Sequence, residues 1–316
     1  MLKPKVSIIG CGNVGMRYAY ALMISGTARQ ITLVDYNIEK AEGEAMDLSH
    51  GAPYTNPVEI VAGTYKDVSG SDLVVITAGK KQKPGQTRVD LLKDNIDLFR
   101  TIIPEIVKYA PNAILLIASN PVDILTYAAY KISGKKASSV IGSGTLLDSA
   151  RFRYEIAKHC NIDPRSIHAY ILGEHGDTEF PVWSKATVGG VNIDKYCMLC
   201  DNTDGCNHKE KLDEIFKNVK NSAYNIIEKK GETSYGIGLA LVRITQALLQ
   251  NENAVLPVSV LVEDFCGIND AYLSLPAVIN AEGIRQVQKL EFNDAEKQAF
   301  VSSAEILKKL LKEVGF

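Results

Sequence analysis

The chain has 316 residues, 46% of them hydrophobic and 23% charged, which is enough for a sizeable core and two domains. A formal net charge of -2 excludes a protein that holds nucleic acid or an anionic membrane by bulk positive charge. Met1-Leu2-Lys3-Pro4-Lys5 runs straight into a short apolar run and then glycines, no apolar stretch is long enough to span a bilayer, and the six scattered cysteines need form no disulfides, so a soluble, cytoplasmic protein is expected.

Runs rich in Val, Ile and Leu occupy 6–9, 31–34, 59–61, 73–77, 114–118 and 140–141. They lack clean alternation, as expected of strands buried on both faces. Helical patterns lie between several of them, at 14–25, 37–49, 89–109 and 122–132. This rhythm predicts an α/β fold with a Rossmann-type doubly wound parallel sheet. The rhythm changes near Gly142. Beyond it, helices are expected at 146–160, 209–230, 236–250 and 295–312, and a strand at 168–172. Segments 187–193 and 255–262 look like members of an antiparallel set, and Pro257 and Pro276 suggest sheet edges or bulges. The expected division is a nucleotide-binding domain at 1–142 and an α+β catalytic domain at 143–316.

Gly10-Cys11-Gly12-Asn13-Val14-Gly15 follows a strand and opens a helix, the context that gives G-x-G-x-x-G its meaning. Gly10 allows the tight turn, Gly12 lets backbone approach a pyrophosphate, and Gly15 lets helix and strand pack closely. Asp35 ends the second strand, where its carboxylate can accept from ribose hydroxyls and would repel a 2'-phosphate. NAD is therefore favoured over NADP. A cluster of packing glycines beside a surface acid is the plainer alternative, against which strand, spacing and helix all agree.

His175 lies between two glycines and two acids, in Leu172-Gly173-Glu174-His175-Gly176-Asp177, just after an apolar stretch. Imidazole both gives and takes a proton near neutral pH. With a nucleotide cradle, that points to hydride transfer coupled to proton transfer. Asp148 and Arg151 share one helix face at their spacing. By themselves they could equally be an internal ion pair, with Asp148 a cap after Thr145.

Together with Ser119-Asn120-Pro121-Val122-Asp123, Gly142-Ser143-Gly144-Thr145 and Leu147-Asp148-Ser149-Ala150-Arg151-Phe152-Arg153, these motifs resemble the lactate/malate dehydrogenase family over essentially the whole chain, and within it the bacterial L-lactate branch. The resemblance implies that His175 is the catalytic acid/base, Asp148 its carboxylate partner, and Arg151 the fork that grips the substrate carboxylate. Thr233 then borders the same pocket and Asn120 contacts substrate near the nicotinamide. Val14, Lys40, Tyr65, Gly79 and Ser143 match positions lining the NAD site.

The glycine-flanked polar segment 79–88 can move as a lid, and the resemblance implies that its closure brings Arg88 onto the carbonyl oxygen of the substrate. Its lysines are otherwise a solvated basic loop. Gln82 stands where malate dehydrogenases commonly carry arginine, so pyruvate and L-lactate are expected over oxaloacetate and malate. Arg153 and His168 match positions that hold fructose 1,6-bisphosphate between subunits in bacterial relatives, which implies an activated homotetramer; a surface ion-pair partner and a capped strand residue are the plain alternative. Cys197, Cys200, Cys206 and His208 have zinc-ligand types, but the family reaction needs no metal and surface thiols explain them. Malate dehydrogenase, a catalytically idle homologue and an NAD-dependent glycosidase are the competing assignments.

Overall fold

The computed structural model describes residues 4–80, 85, 87–197 and 208–316, and only the backbone of Arg88, Cys197 and His208. The first half comprises β1 (Lys5–Ile9), α1 (Asn13–Ser25), β2 (Gln30–Val34), α2 (Ile38–His50), β3 (Glu59–Gly63), β4 (Leu73–Ile76), α3 (Arg88–Tyr109), β5 (Ile114–Ile117), α4 (Val122–Ser133) and β6 (Val140–Gly142). These six strands are parallel, in the order β3-β2-β1-β4-β5-β6. Val6, Ile8, Leu33, Val75 and Leu116 are fully buried, as the missing alternation predicts. The strand order reverses between β1 and β4, which opens a crevice at the carboxyl ends where a nucleotide fits.

The second half comprises α5 (Leu146–Cys160), β7 (Ile167–His168), β8 (Ile171–Leu172), β9 (Phe180–Pro181), β10 (Thr187–Val188), β11 (Val191–Asn192), α6 (Ile193–Cys197), α7 (His208–Lys230), α8 (Tyr235–Leu249), β12 (Ala254–Val262), β13 (Ala271–Asn280), β14 (Gly283–Val287) and α9 (Asp294–Glu313). β12 runs antiparallel beside β6 through Ser259 and Gly142, and β13 and β14 extend the same sheet to nine strands. One core therefore spans both halves, with Leu22, Val75, Leu241 and Leu273 among its members, and a smaller core gathers Phe152, Ile156, Ile167 and Ile215. Among the described residues no helix is long and apolar enough to cross a membrane.

Three expectations change. The strand at 168–172 divides into β7 and β8, which lie in different sheets. The reason is α5: Ser149 Oγ accepts from Ile171 N at 3.0 Å, and Thr145 Oγ1 donates to the Ile171 carbonyl at 2.5 Å, so helix side chains replace a strand partner. β10 pairs with β7 and β11 with β10, in a small sheet that does not include β12. Pro257 and Pro276 face one another in two interior strands, not at an edge. Gln288 N donates to the Pro276 carbonyl at 2.8 Å from the side away from β12, so the proline nitrogens point out of the β12–β13 ladder and cost it no bond.

Candidate active site

The glycine loop joins β1 to α1 at the crevice. Gly10 has φ of +107°, and a Cβ there would lie 2.7 Å from Ala78 N. A Cβ on Gly15 would lie 2.1 Å from the Gly10 carbonyl oxygen, so only glycine lets α1 start this close to the loop. At Gly12, the N-cap of α1, a Cβ would meet nothing within 4 Å. That open space lies over the helix N-terminus, whose amide groups and partial positive charge suit a pyrophosphate. Packing thus explains Gly10 and Gly15, whereas Gly12 has no packing reason to be glycine.

Asp35 immediately follows β2, where its Oδ2 accepts from Cys11 N at 2.7 Å and its Oδ1 from Asn37 N at 3.0 Å. The acid expected to face the ribose also holds the loop in shape. Tyr65 is half-buried, and its phenol is pushed up first by burial and then by the charge of Asp35. Lys40 is exposed on α2, Val14 lies in the first turn of α1, Gly79 follows β4, and Asn120 is exposed just past β5. Ser143 is buried after β6 and donates its N–H to the Ile117 carbonyl at 2.8 Å. All of these stand at the carboxyl ends of the parallel strands or on the helices that follow. The residues fit a dinucleotide.

In the second half, the side chains of Asp148, Arg151 and His175 converge. Asp148 does not cap its helix; both its oxygens are engaged elsewhere. Oδ2 meets His175 Nδ1 at 2.6 Å and Oδ1 accepts from Arg151 at 2.8 Å. The internal ion pair and the catalytic arrangement are one object. The Asp148 side chain is 3% exposed and that of His175 26%, so the carboxylate is sealed while the imidazole still reaches the cleft. With Nδ1 committed, Nε2 is the nitrogen left to face a ligand; among the described residues nothing bonds it. Arg151 spends one terminal nitrogen on Asp148, and the rest of its fork can take a carboxylate.

Burial is the largest single influence on Asp148 and on His175, and in both it is overruled by neighbouring charge. It would raise the Asp148 carboxyl, yet His175 and Arg151 hold it below the ordinary range. It would lower the His175 imidazole, yet Asp148 raises it to about 9. Glu179, buried in the same loop, is pushed up to about 8 by burial and by the nearby charge of Asp148. Near neutral pH the Asp148 carboxylate is thus flanked by an imidazolium and a guanidinium, which suits the site to an anion, and Glu179 is shifted toward its neutral form. Ligand-type atoms of Asp148, His175 and Glu179 lie within 4.8 Å of one another, as a metal centre would require. The Asp148 carboxylate is already bonded to His175 and to Arg151, whose charge repels a cation, so the cluster is arranged for proton handling.

The His175 loop is held from three directions. Asp123 on α4, fully buried and pushed up to about 6 by burial, accepts from His175 N at 2.7 Å and from Ser259 Oγ at 2.5 Å. Gly173 exchanges backbone bonds with Ser274 on β13, whose hydroxyl also accepts from Thr145 N at 3.0 Å. Ser274 thereby ties the start of the loop to the start of the helix bearing Asp148. From α9, Ser303 Oγ accepts from Glu174 N at 2.8 Å. Sequence reading assigned no role to Asp123, Glu179, Ser259 or Ser303. Asp123 lies inside a quoted motif and Glu179 two residues past another, but nothing in their spacing says that they face His175.

Other expected residues fall in three groups. Thr233 is half-buried just before α8. Arg153 is half-buried on α5 with Tyr170 beside its charge, and His168 is exposed on β7; among the described residues no bond joins the two. Arg88 opens α3, where Thr87 forms a capping box with Asp90, but its side chain is not among the described ones. Gln82, Cys200 and Cys206 lie outside the described residues, as do the side chains of Cys197 and His208.

Two family models match the chain: lactate/malate dehydrogenase, NAD binding domain, over residues 4–142, and lactate/malate dehydrogenase, alpha/beta C-terminal domain, over residues 145–315. An L-lactate dehydrogenase of Thermoanaerobacter sp. (strain X514) is 51% identical over 310 residues, covering 98% of this chain and 99% of the relative. L-lactate dehydrogenase 1 of Clostridium acetobutylicum is 50% identical over 311 residues, covering 98% of each. The crystal structure of a lactate dehydrogenase enzyme from a Medee basin deep-sea metagenome library superposes with a TM-score of 0.95 at 47% identity, covering 100% of both chains. That of a minor L-lactate dehydrogenase from Enterococcus mundtii, in a ligands-bound form, gives 0.94 at 44% identity, covering 98% of both. With a dinucleotide cradle in one half and a paired imidazole in the other, the chain belongs to the lactate/malate dehydrogenase family and is an NAD-dependent oxidoreductase.

Proposed function

We propose that this protein is an L-lactate dehydrogenase that interconverts pyruvate and L-lactate. The observation that carries the reading is the 2.6 Å pairing of His175 Nδ1 with Asp148, beside an arginine that keeps a free fork. Gly10, Gly12, Gly15 and Asp35 would hold NADH, with Val14, Lys40, Tyr65, Gly79, Asn120 and Ser143 around it. When bound, NADH supplies the hydride that reduces the carbonyl carbon.

The chain's own residues do the rest. Arg151 binds the pyruvate carboxylate bidentately and sets the orientation of the carbonyl. His175, protonated near neutral pH, gives its Nε2 proton to the carbonyl oxygen as that oxygen gains charge. Asp148 fixes the ring and stabilises the imidazolium without taking the proton itself. In the reverse direction neutral imidazole removes the hydroxyl proton of lactate. Arg88, brought in by closure of segment 79–88, stabilises the developing negative charge, and Asn120 and Thr233 border the substrate.

Gln82 supports pyruvate over oxaloacetate, because a second carboxylate would meet a neutral side chain at the position where malate dehydrogenases commonly carry arginine. The L-lactate dehydrogenases among the relatives point the same way. The division into a nucleotide domain at 1–142 and a catalytic domain at 143–316 is supported by β6 ending at Gly142. Arg153 and His168 are proposed to bind fructose 1,6-bisphosphate across a two-fold axis of a cytoplasmic homotetramer. Exposed apolar residues on α1, α2 and α8, among them Tyr20, Ile24, Met46, Tyr235 and Leu239, support self-association. Following NADH absorbance with pyruvate and with oxaloacetate, each with and without fructose 1,6-bisphosphate, tests the reading. Pyruvate turnover at a lower half-saturation point with the bisphosphate is expected. Preference for oxaloacetate refutes the substrate assignment, and an unmoved half-saturation point refutes the activation.

A further inference from the structure

The structure assigns Ser303, in the middle of α9, as a positioning residue for His175, acting through a closed ring of hydrogen bonds on the catalytic loop. The inference rests on the proton-donor role proposed for His175. Ser303 is far from that residue in sequence and fully buried against the loop.

The direction of every bond in the ring follows from the groups involved. Glu174 N–H can only donate, and it donates to Ser303 Oγ at 2.8 Å. The Glu174 carboxylate can only accept, and Thr178 Oγ1 donates its single proton to Oε2. The remaining contact, Ser303 Oγ to Thr178 Oγ1 at 2.9 Å, must then have the serine as donor. The circuit runs from Glu174 N through Ser303 and Thr178 back to the Glu174 side chain, and each hydroxyl both gives and receives. It closes on Glu174, the residue that precedes His175 in the chain. On the other side of the loop Asp123 takes the His175 N–H at 2.7 Å. The backbone that carries the imidazole is thus clamped between α4 and α9, while Asp148 orients the ring from α5.

A second contact from α9 keeps that helix in register with the continuation of the loop. Glu296 accepts from Ser184 N at 3.0 Å and from Ser184 Oγ at 2.7 Å. Glu296 also closes a capping box with Asn293, so the helix start and the loop end share one carboxylate. Arg151 lies on α5, outside the ring. Loosening the ring should therefore misplace the proton donor while leaving the carboxylate grip intact.

The test compares the full-length enzyme with Ser303→Ala, Thr178→Val and Thr178→Ser, measuring kcat and KM for pyruvate, NADH affinity by fluorescence, and melting temperature. Thr178 is half-buried, so the Thr178→Val variant keeps shape and loses only the hydroxyl. Ser303→Ala and Thr178→Val should each lower kcat about tenfold or more, with KM for pyruvate within about twofold. Thr178→Ser should recover most of the rate. Wild-type kcat in both hydroxyl-free variants overturns the inference. So does a loss of kcat that comes with an equal loss of NADH affinity, since that reports general damage. Absence of pyruvate-dependent NADH oxidation in the unaltered enzyme refutes the proposed reaction itself, and the inference falls with it.

Discussion

In the first half of the molecule the functional surface is largely backbone. Gly10, Gly12 and Gly15 act by having no side chain, and one acid, Asp35, both shapes the loop and faces the crevice. In the second half the surface is a set of charged side chains from α5 and the His175 loop, each held by another, with Asp123 of α4 reaching the loop from the first half. A backbone cradle fails when atoms collide or when space is filled. A charge cluster fails when its balance changes, even if every atom stays where it was. The two halves should therefore break in different ways.

The largest effect belongs to the charge cluster. His175→Asn should lower kcat for pyruvate reduction by about a thousandfold while NADH still binds, because the proton donor is gone and the cradle is untouched. An NADH-binding defect of similar size would erase the distinction between the halves. Next comes Gln82→Arg, which adds one cation under the lid. The ratio of kcat/KM for oxaloacetate to that for pyruvate should rise by about two orders of magnitude or more; an unchanged ratio contradicts the substrate assignment.

The smaller effects separate two glycines, six and three residues past the end of β1. Gly15→Ala puts a Cβ 2.1 Å from the Gly10 carbonyl oxygen, so it should cost about 1–3 kcal/mol of folding stability by denaturant titration. Gly12→Ala meets nothing within 4 Å of its Cβ, so melting should be unchanged while NADH affinity falls about tenfold. Equal NADH affinity in the Gly12→Ala variant would mean that the open space over α1 is not the pyrophosphate site.

The same contrast explains what could be read from sequence. The cradle is contiguous, so strand, glycines and helix were visible together, and Asp35 lay at a readable distance. The parallel strands were visible because full burial removes alternation. The catalytic site is assembled across long separations. Spacing alone put Asp148 and Arg151 on one helix face, but only the family motifs tied them to His175. Asp123 and Ser303 approach the loop from α4 and α9, and no local pattern encodes that approach. The division of 168–172 into two strands was hidden for a related reason, since side chains of α5 satisfy the Ile171 backbone. Pro257 and Pro276 misled because the rule against proline in interior strands yields where both nitrogens point away from the shared ladder.

The pH dependence of kcat/KM for pyruvate, in the wild type and in Asp148→Asn, tests the central claim most directly. Reduction needs imidazolium, so activity is present below the His175 pKa and is lost as pH rises through it. With Asp148 raising that pKa to about 9, the wild type should hold its rate through neutral pH and fall only near pH 9. Removing the carboxylate leaves burial as the main influence, which lowers the pKa, so the alkaline fall of Asp148→Asn should move to markedly lower pH. Alkaline limbs at the same pH in both proteins would contradict the pairing of His175 with Asp148 as the source of the transferred proton.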